Sequence, residues 1–337
     1  MTIGLAGWYH KGNFGDDLMA MMITKKLVRE ELDVVLWGID EEEAMRWGAT
    51  SIQKRQSFLS MIDVLVFGGG GLLANADIED DFDKFLKSLV EGATNRGIAI
   101  HGISLGGDGS LTPSTISPGR KALLENISLL TVRNPQDVGD VAQFGVDSSF
   151  HHDIVWRCEE YISRSKRSNN VSREWGSVIV NIEEKSKVRK LFVLISSAYG
   201  SISPQRFRYM GIISRDQNLH NMQKLLGHNG IINYEKYESV ESCLRKIQRS
   251  SLVVSSKMHI GICSMALGGD FLSIFGVKKT KIMMENINKK GFFIGKSPVK
   301  FFRSIKNVMK IEDGRDFERE KIDAKRHIDK LLRKIEK

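Results

Sequence analysis

Two glycine-rich loops hold the first residues whose types and spacing suggest chemistry. Gly7–Asp17 reads Gly-Trp-Tyr-His-Lys-Gly-Asn-Phe-Gly-Asp-Asp directly after the apolar run Thr2–Ala6, and Gly68–Gly71 follows the apolar run Asp63–Phe67. Glycine lets the main chain approach a ligand closely, and a helix that starts after such a loop offers free N–H groups and a partial positive end. That suits an anion or a sugar hydroxyl. Asp16 and Asp17 oppose an anion there, because both would repel phosphate and one of them is expected to cap the helix. For each aspartate two roles stay open: capping, or a carboxylate that binds or deprotonates an acceptor hydroxyl.

Several familiar chemistries are excluded by spacing. Gly7-x4-Gly12 is followed by Asn13-Phe14 where a phosphate-binding P-loop needs Lys and then Ser or Thr. Neither loop has the Gly-x-Gly-x-x-Gly spacing of a dinucleotide site, so no nicotinamide or flavin cofactor is expected. Cys158, Cys243 and Cys263 are an odd, widely spaced set that predicts buried free thiols and no zinc site. His151-His152-Asp153 is read as structural, since adjacent histidines on a strand point to opposite faces and no third metal ligand has a recognisable spacing. His10 and His101 are lone histidines near strand ends and are read as structural too.

Such loops need a scaffold, and the sequence predicts a parallel one. A short apolar run, a glycine turn and a segment with helical spacing repeat through the first half. Ile98–Leu105 ends in Gly106-Gly107, and Leu129–Val132 ends in Arg133-Asn134. Helices are predicted from the first loop to about Glu30, burying Leu18, Met21, Met22, Ile23 and Leu27, and from about Asp77 to Glu91. After a polar stretch from Arg157 to Trp175, strands are predicted at Gly176–Ile182, Lys190–Ser196, Gly230–Tyr234, Leu252–Ser255 and Asp270–Phe275. Helices fall near Asp216–Gly227, Ser239–Ser250 and His259–Leu267. A charged closing helix from about Arg315 carries an apolar stripe at Ile322, Ile328, Leu331, Leu332 and Ile335.

The expected fold class is therefore α/β, with two Rossmann-like domains facing a cleft and a C-terminal helical tail. Its divisions are 1–160, a linker at 161–175, 176–300, and an extension at 301–337. A length of 337 residues suits two domains of about 150 each. With 41% hydrophobic and 27% charged residues the chain is globular. No stretch approaches the roughly 20 apolar residues of a membrane span, which predicts a cytoplasmic protein. The net charge of +9 comes from scattered basic residues not interleaved with aromatics, so nucleic acid is not an expected partner. The basic closing helix leaves peripheral contact with the inner membrane face open.

Four motifs in order resemble the polysaccharide pyruvyltransferase family across about residues 3–285. They are Gly12-Asn13-Phe14-Gly15-Asp16-Asp17, Phe67-Gly68-Gly69-Gly70-Gly71-Leu72-Leu73, Val132-Arg133-Asn134 and Ser255-Ser256-Lys257-Met258-His259. The resemblance implies a fold similar to the GT-B glycosyltransferases. It also implies transfer of pyruvate from phosphoenolpyruvate to a sugar of a cell-surface glycan or its lipid-linked precursor, forming a ketal, with no further cofactor. Gly12, Asn13, Gly15, Gly69 and Gly70 would line the substrates. Two positions depart from the family: Asn134 stands where an acidic residue is usual, and Lys257 where an arginine is common.

Phosphoenolpyruvate carries a phosphate and a carboxylate, so such a site needs cations. Arg133 can grip either group through two parallel hydrogen bonds, and Lys257, with Lys278 or Lys279, offers point charges. Histidine as a residue type can serve as an acid near working pH, and His259 is the expected acid for the enol methylene; Asp16 or Asp17 would act on the acceptor hydroxyl. The alternatives are solvated surface cations and a histidine hydrogen-bonded for structure. Two other functions remain open, a GT-B-type glycosyltransferase using a nucleotide sugar and an inactive relative acting as a binding subunit.

Overall fold

The computed structural model describes residues 1–9, 13–74, 81–109, 111–162, 178–181, 207–210, 233–235, 237–276, 278–289, 293–295 and 317–336. The chain divides into two compact units. The first comprises Met1–Lys11, Asp16–Val155 and Arg319–Lys337, and the second Gly12–Gly15 and Trp156–Glu318. The break thus falls at Val155, and most of the closing helix belongs to the first unit instead of forming a separate extension.

The first unit alternates strand and helix: β1 Thr2–Ala6, α1 Phe14–Arg29, β2 Asp33–Trp37, α2 Glu41–Trp47, β3 Thr50–Ile52, α3 Arg55–Met61, β4 Val64–Gly68, α4 Asp81–Thr94, β5 Ala99–Leu105, α5 Pro118–Asn126, β6 Ile127–Val132, α6 Pro135–Ala142 and β7 Ser149–Phe150. Among the described residues these strands form a parallel seven-stranded sheet in the order β3-β2-β1-β4-β5-β6-β7. All of β4 is buried, as expected of a central parallel strand covered on both faces. Chain order reverses between β1 and β4. The crevice beyond the strands' carboxyl ends at such a reversal is where open α/β sheets bind ligands.

A 3-10 helix at Ile154–Tyr161 opens the second unit, where the sequence suggested an irregular linker from Arg157. It is followed by β8 Val178–Asn181, β9 Phe207–Met210, β10 Asn233–Glu235, α7 Val240–Arg249, β11 Leu252–Ser255, α8 Met258–Ala266, β12 Asp270–Ile274, α9 Lys278–Asn286 and β13 Phe293–Gly295. The described strands form a parallel six-stranded sheet, β10-β9-β8-β11-β12-β13, reversing between β8 and β11. The strand expected at Lys190–Ser196 and the helix expected at Asp216–Gly227 lie outside the described residues.

Local chemistry explains where the elements differ from expectation. Neither aspartate caps α1: the cap is Asn13, whose Oδ1 accepts the Gly15 N–H at 3.2 Å, leaving Asp16 and Asp17 in the first turn. α4 runs on to Thr94 because Leu86, Leu89, Val90 and Ala93 continue one buried stripe. The closing helix, α10, spans Glu318–Ile335 and buries Ala324, His327, Ile328 and Leu331. Ile322 is not on that stripe; it is 62% exposed, and the fully buried His327 takes a place that apolar patterning alone would not assign to it. No described helix is long and apolar enough to cross a membrane.

Candidate active site

In the first unit the loops after β1, β4, β5 and β6 converge at the reversal point. Gly69 and Gly70 take φ of +70° and +85°, the left-handed region that favours glycine. The turn they form is fastened to the loop after β5: Gly69 N–H donates to Ile103 O at 2.8 Å, Gly106 N–H to Gly70 O at 3.0 Å, and Leu73 N–H to Gly106 O at 3.1 Å. The loop after β1 joins them through Tyr9, a buried residue whose hydroxyl donates to Gly68 O at 2.5 Å. Burial, and then the charge of Asp16, push the Tyr9 phenol well above its ordinary range, so it stays a neutral donor. Asp16 reaches the same turn, since a Cβ on Gly70 would lie 3.4 Å from Asp16 Oδ1.

Arg133 follows the end of β6 and is not a solvated surface side chain. Its side chain is 2% exposed, and its Nη1 donates to Asp153 Oδ2 at 3.1 Å and approaches Met19 Sδ at 3.7 Å. A guanidinium removed from water requires such a carboxylate. Asn134, next along, is also buried: its Nδ2 donates to Asp137 Oδ2 at 2.9 Å and to Gly107 O at 3.3 Å. Asp137 also accepts from Gly107 N–H at 2.9 Å, and burial raises its carboxyl above the ordinary range.

His151 and His152 do not point apart as expected for a strand. β7 ends at Phe150, and beyond it both rings turn to one carboxylate, with His151 Nδ1 3.2 Å from Asp323 Oδ1 and His152 Nδ1 3.0 Å from Asp323 Oδ2. Among the described residues no group of three or more His, Cys, Asp or Glu is arranged to hold a metal ion. His101 is buried, and desolvation, followed by the charge of Lys334, lowers it to about 4, so it is neutral at working pH.

The second unit's candidate residues surround the end of β11. Asn181, Ser255 and Ser273 share one register across β8, β11 and β12. Ser255 Oγ donates to Asn181 Oδ1 at 3.3 Å and accepts the Lys257 N–H at 2.9 Å. Lys257 stands at the N-cap of α8 without a side-chain cap bond, and His259 is the second residue of the helix, buried in its first turn. A Cβ on Gly15 would collide with the His259 imidazole, so the missing side chain of Gly15 makes room for the ring. Lys278, the first residue of α9, is exposed, whereas Thr280 two residues on is fully buried. Gly12 and His10 lie outside the described residues.

Comparison with known proteins decides the family. The model of the family described as "Polysaccharide pyruvyl transferase" matches residues 13–274. The chain belongs to this family. No curated protein matches the sequence at a significant level. Among solved structures, a UDP-GlcNAc 2-epimerase from Methanocaldococcus jannaschii superimposes with a TM-score of 0.63 at 10% identity, covering 98% of this chain and 99% of the other. One from Neisseria meningitidis, bound to UDP-GlcNAc, gives 0.60 at 10% identity, covering 96% and 93%. HepE from Anabaena, in complex with UDP and glucose, gives 0.54 at 12% identity, covering 96% and 92%. At such identities the likeness shows the fold, which is the GT-B-like pairing of two Rossmann-type units.

Within this chain, the amide at Asn134 has a local cause. An acidic residue there would set a second carboxylate at hydrogen-bond distance from Asp137, which burial already burdens, whereas the amide donates to it. Sequence reasoning did not single out Tyr9, Asp137 or the pairing of Asp153 with Arg133. The signal available for Asp153 was only a carboxylate beside a histidine pair, since its partner follows a different strand, β6.

Proposed function

We propose that this family member transfers pyruvate from phosphoenolpyruvate to a sugar of a cell-surface polysaccharide or its lipid-linked precursor and closes a ketal. The observation that carries the reading is the contact of His259 with Gly15, which brings residues from two of the four motifs together inside the second unit. A histidine at a helix N-terminus, following the cation Lys257, suits an acid that works beside an anionic donor.

In the proposed reaction His259 donates a proton to the methylene carbon, and a sugar hydroxyl adds to the adjacent carbon. Phosphate then leaves with its bonding electrons. A second hydroxyl of the same sugar adds to that carbon and releases its proton, completing the ketal. Arg133, its Nη1 held by Asp153, grips an anionic group of the donor; Lys257 and Lys278 add positive charge. Cations aimed at the departing phosphate supply much of the rate. Asp16 or Asp17 takes the acceptor proton, and Asn13, Gly15, Gly69 and Gly70 leave main chain accessible to sugar hydroxyls.

Calorimetric titration with phosphoenolpyruvate and with a panel of nucleotide sugars tests the donor. Saturable heat with phosphoenolpyruvate is expected. Heat with a nucleotide sugar and none with phosphoenolpyruvate would sink the reading in favour of a glycosyltransferase.

A further inference from the structure

The closing helix α10 lies beyond the family-matched segment 13–274, yet it makes a dense set of buried polar contacts in the first unit. His327 is fully buried. Its Nε2 is 3.0 Å from the His152 carbonyl oxygen, which can only accept, so Nε2 carries the proton and Nδ1 accepts from Thr131 Oγ1 at 2.7 Å. Thr131 Oγ1 in turn accepts the Ser104 N–H at 3.0 Å, at a residue whose φ of +53° is uncommon for a non-glycine. One turn earlier, Asp323 accepts the His152 N–H at 2.7 Å and faces Nδ1 of both His151 and His152.

Every one of these bonds to the 151–152 segment ends one or two residues before Asp153, the partner of Arg133. Asp153 is fixed on its other side as well: its Oδ1 accepts the Val155 N–H at 3.0 Å, and Ile154 N–H donates to Ser104 Oγ at 3.2 Å. We propose that Asp323 and His327 are positioning residues that set Arg133, by holding His151 and His152 so that Asp153 meets the guanidinium. Arg133 lies at the end of the chain Asp323 and His327, His152, Asp153, Arg133. The inference rests on the reading of Arg133 as a donor-binding residue.

A bond from Lys330 Nζ to Ser149 Oγ at 2.7 Å supplies the control, because it ties the same helix to the same unit without holding residues 151 or 152. In Asp323→Asn the KM for phosphoenolpyruvate should rise about tenfold with kcat changed less, in line with the loss of an outer orienting partner. His327→Leu should do the same, and His327→Gln, which keeps an N–H for the His152 carbonyl, should restore KM. Lys330→Ala should leave KM unchanged. The side-chain NMR resonance of Arg133, assigned by its loss in Arg133→Lys, should shift in Asp323→Asn and stay in Lys330→Ala. An unmoved Arg133 resonance in folded Asp323→Asn and His327→Leu proteins would overturn the proposal. If wild-type protein does not use phosphoenolpyruvate at all, the proposed function fails, while the resonance still reports whether α10 sets Arg133.

Discussion

The carboxyl ends of the two sheets are furnished in different ways. In the first unit Arg133 is paired with Asp153, Asn134 bridges Asp137 and Gly107, and Tyr9 ties the first loop to Gly68. In the second, the buried hydroxyls of Ser256, Ser273 and Thr280 have no hydrogen-bond partner among the described residues. A buried polar group left unsatisfied costs roughly 1–3 kcal/mol. Both units hold buried polar atoms with no partner among the described residues, His151 Nε2 in the first as well as these hydroxyls in the second, but only the first unit's loops also carry the charged and amide bonds just named.

The largest expected effect lies in the first unit. Asp153→Asn leaves the Arg133 guanidinium buried without its carboxylate and should destabilise the protein by about 3–5 kcal/mol, read from urea denaturation at neutral pH. A loss below roughly 1 kcal/mol, the range of an exposed pair, would break the contrast between the units.

An intermediate effect follows from pH. Burial first, then the charge of His151, lowers His327 to about 3, well under the ordinary histidine value of 6.5. The unfolded chain therefore takes up a proton that the folded one refuses, and stability should be complete above about pH 6.5 and decline as pH falls from there toward 3. His101, lowered to about 4, acts in the same direction, as does Asp323, held below the ordinary carboxylate range, at the acid end. His151, lowered by burial, joins them, and Asp137, raised by burial, opposes them as one group against four. Denaturation midpoints between pH 7 and 4 check this; a wild-type profile that is flat over that range, or one whose slope is unchanged in His327→Leu, would contradict it.

The smallest effect is predicted in the second unit. Thr280→Val removes an unpartnered buried hydroxyl while keeping the shape, so stability should stay within about 1 kcal/mol of wild type or rise. A loss comparable to that of Asp153→Asn would erase the difference between the two sheets.

Much of the scaffold was legible because parallel strands and glycine turns leave a local signature. Thr2–Ala6 and Leu252–Ser255 were placed to the residue, and the buried face of α1 was read from Leu18, Met21, Met22, Ile23 and Leu27. Boundaries slipped where a side chain chose between equivalent local roles, as when Asn13 capped α1 in place of an aspartate. What no local pattern carries is partner choice. Thr131 and His327 are 196 residues apart in sequence, and His327 replaces an apolar side chain on a buried stripe only because a hydroxyl and a carbonyl await its two nitrogens. The motif residues were legible as types and spacings, but the burial of Arg133 and Asn134 was not, since it depends on Asp153 and Asp137 arriving from neighbouring elements.

The central claim is tested most directly by incubating the protein with phosphoenolpyruvate and candidate sugar acceptors, then measuring pyruvylated acceptor by mass spectrometry alongside released phosphate. Wild-type protein should yield both in equal amounts, and His259→Gln should retain its fold while losing about 10²–10⁴ in rate, the usual contribution of a positioned acid. Full activity in His259→Gln, or phosphate released with no pyruvyl group on any acceptor, would contradict it.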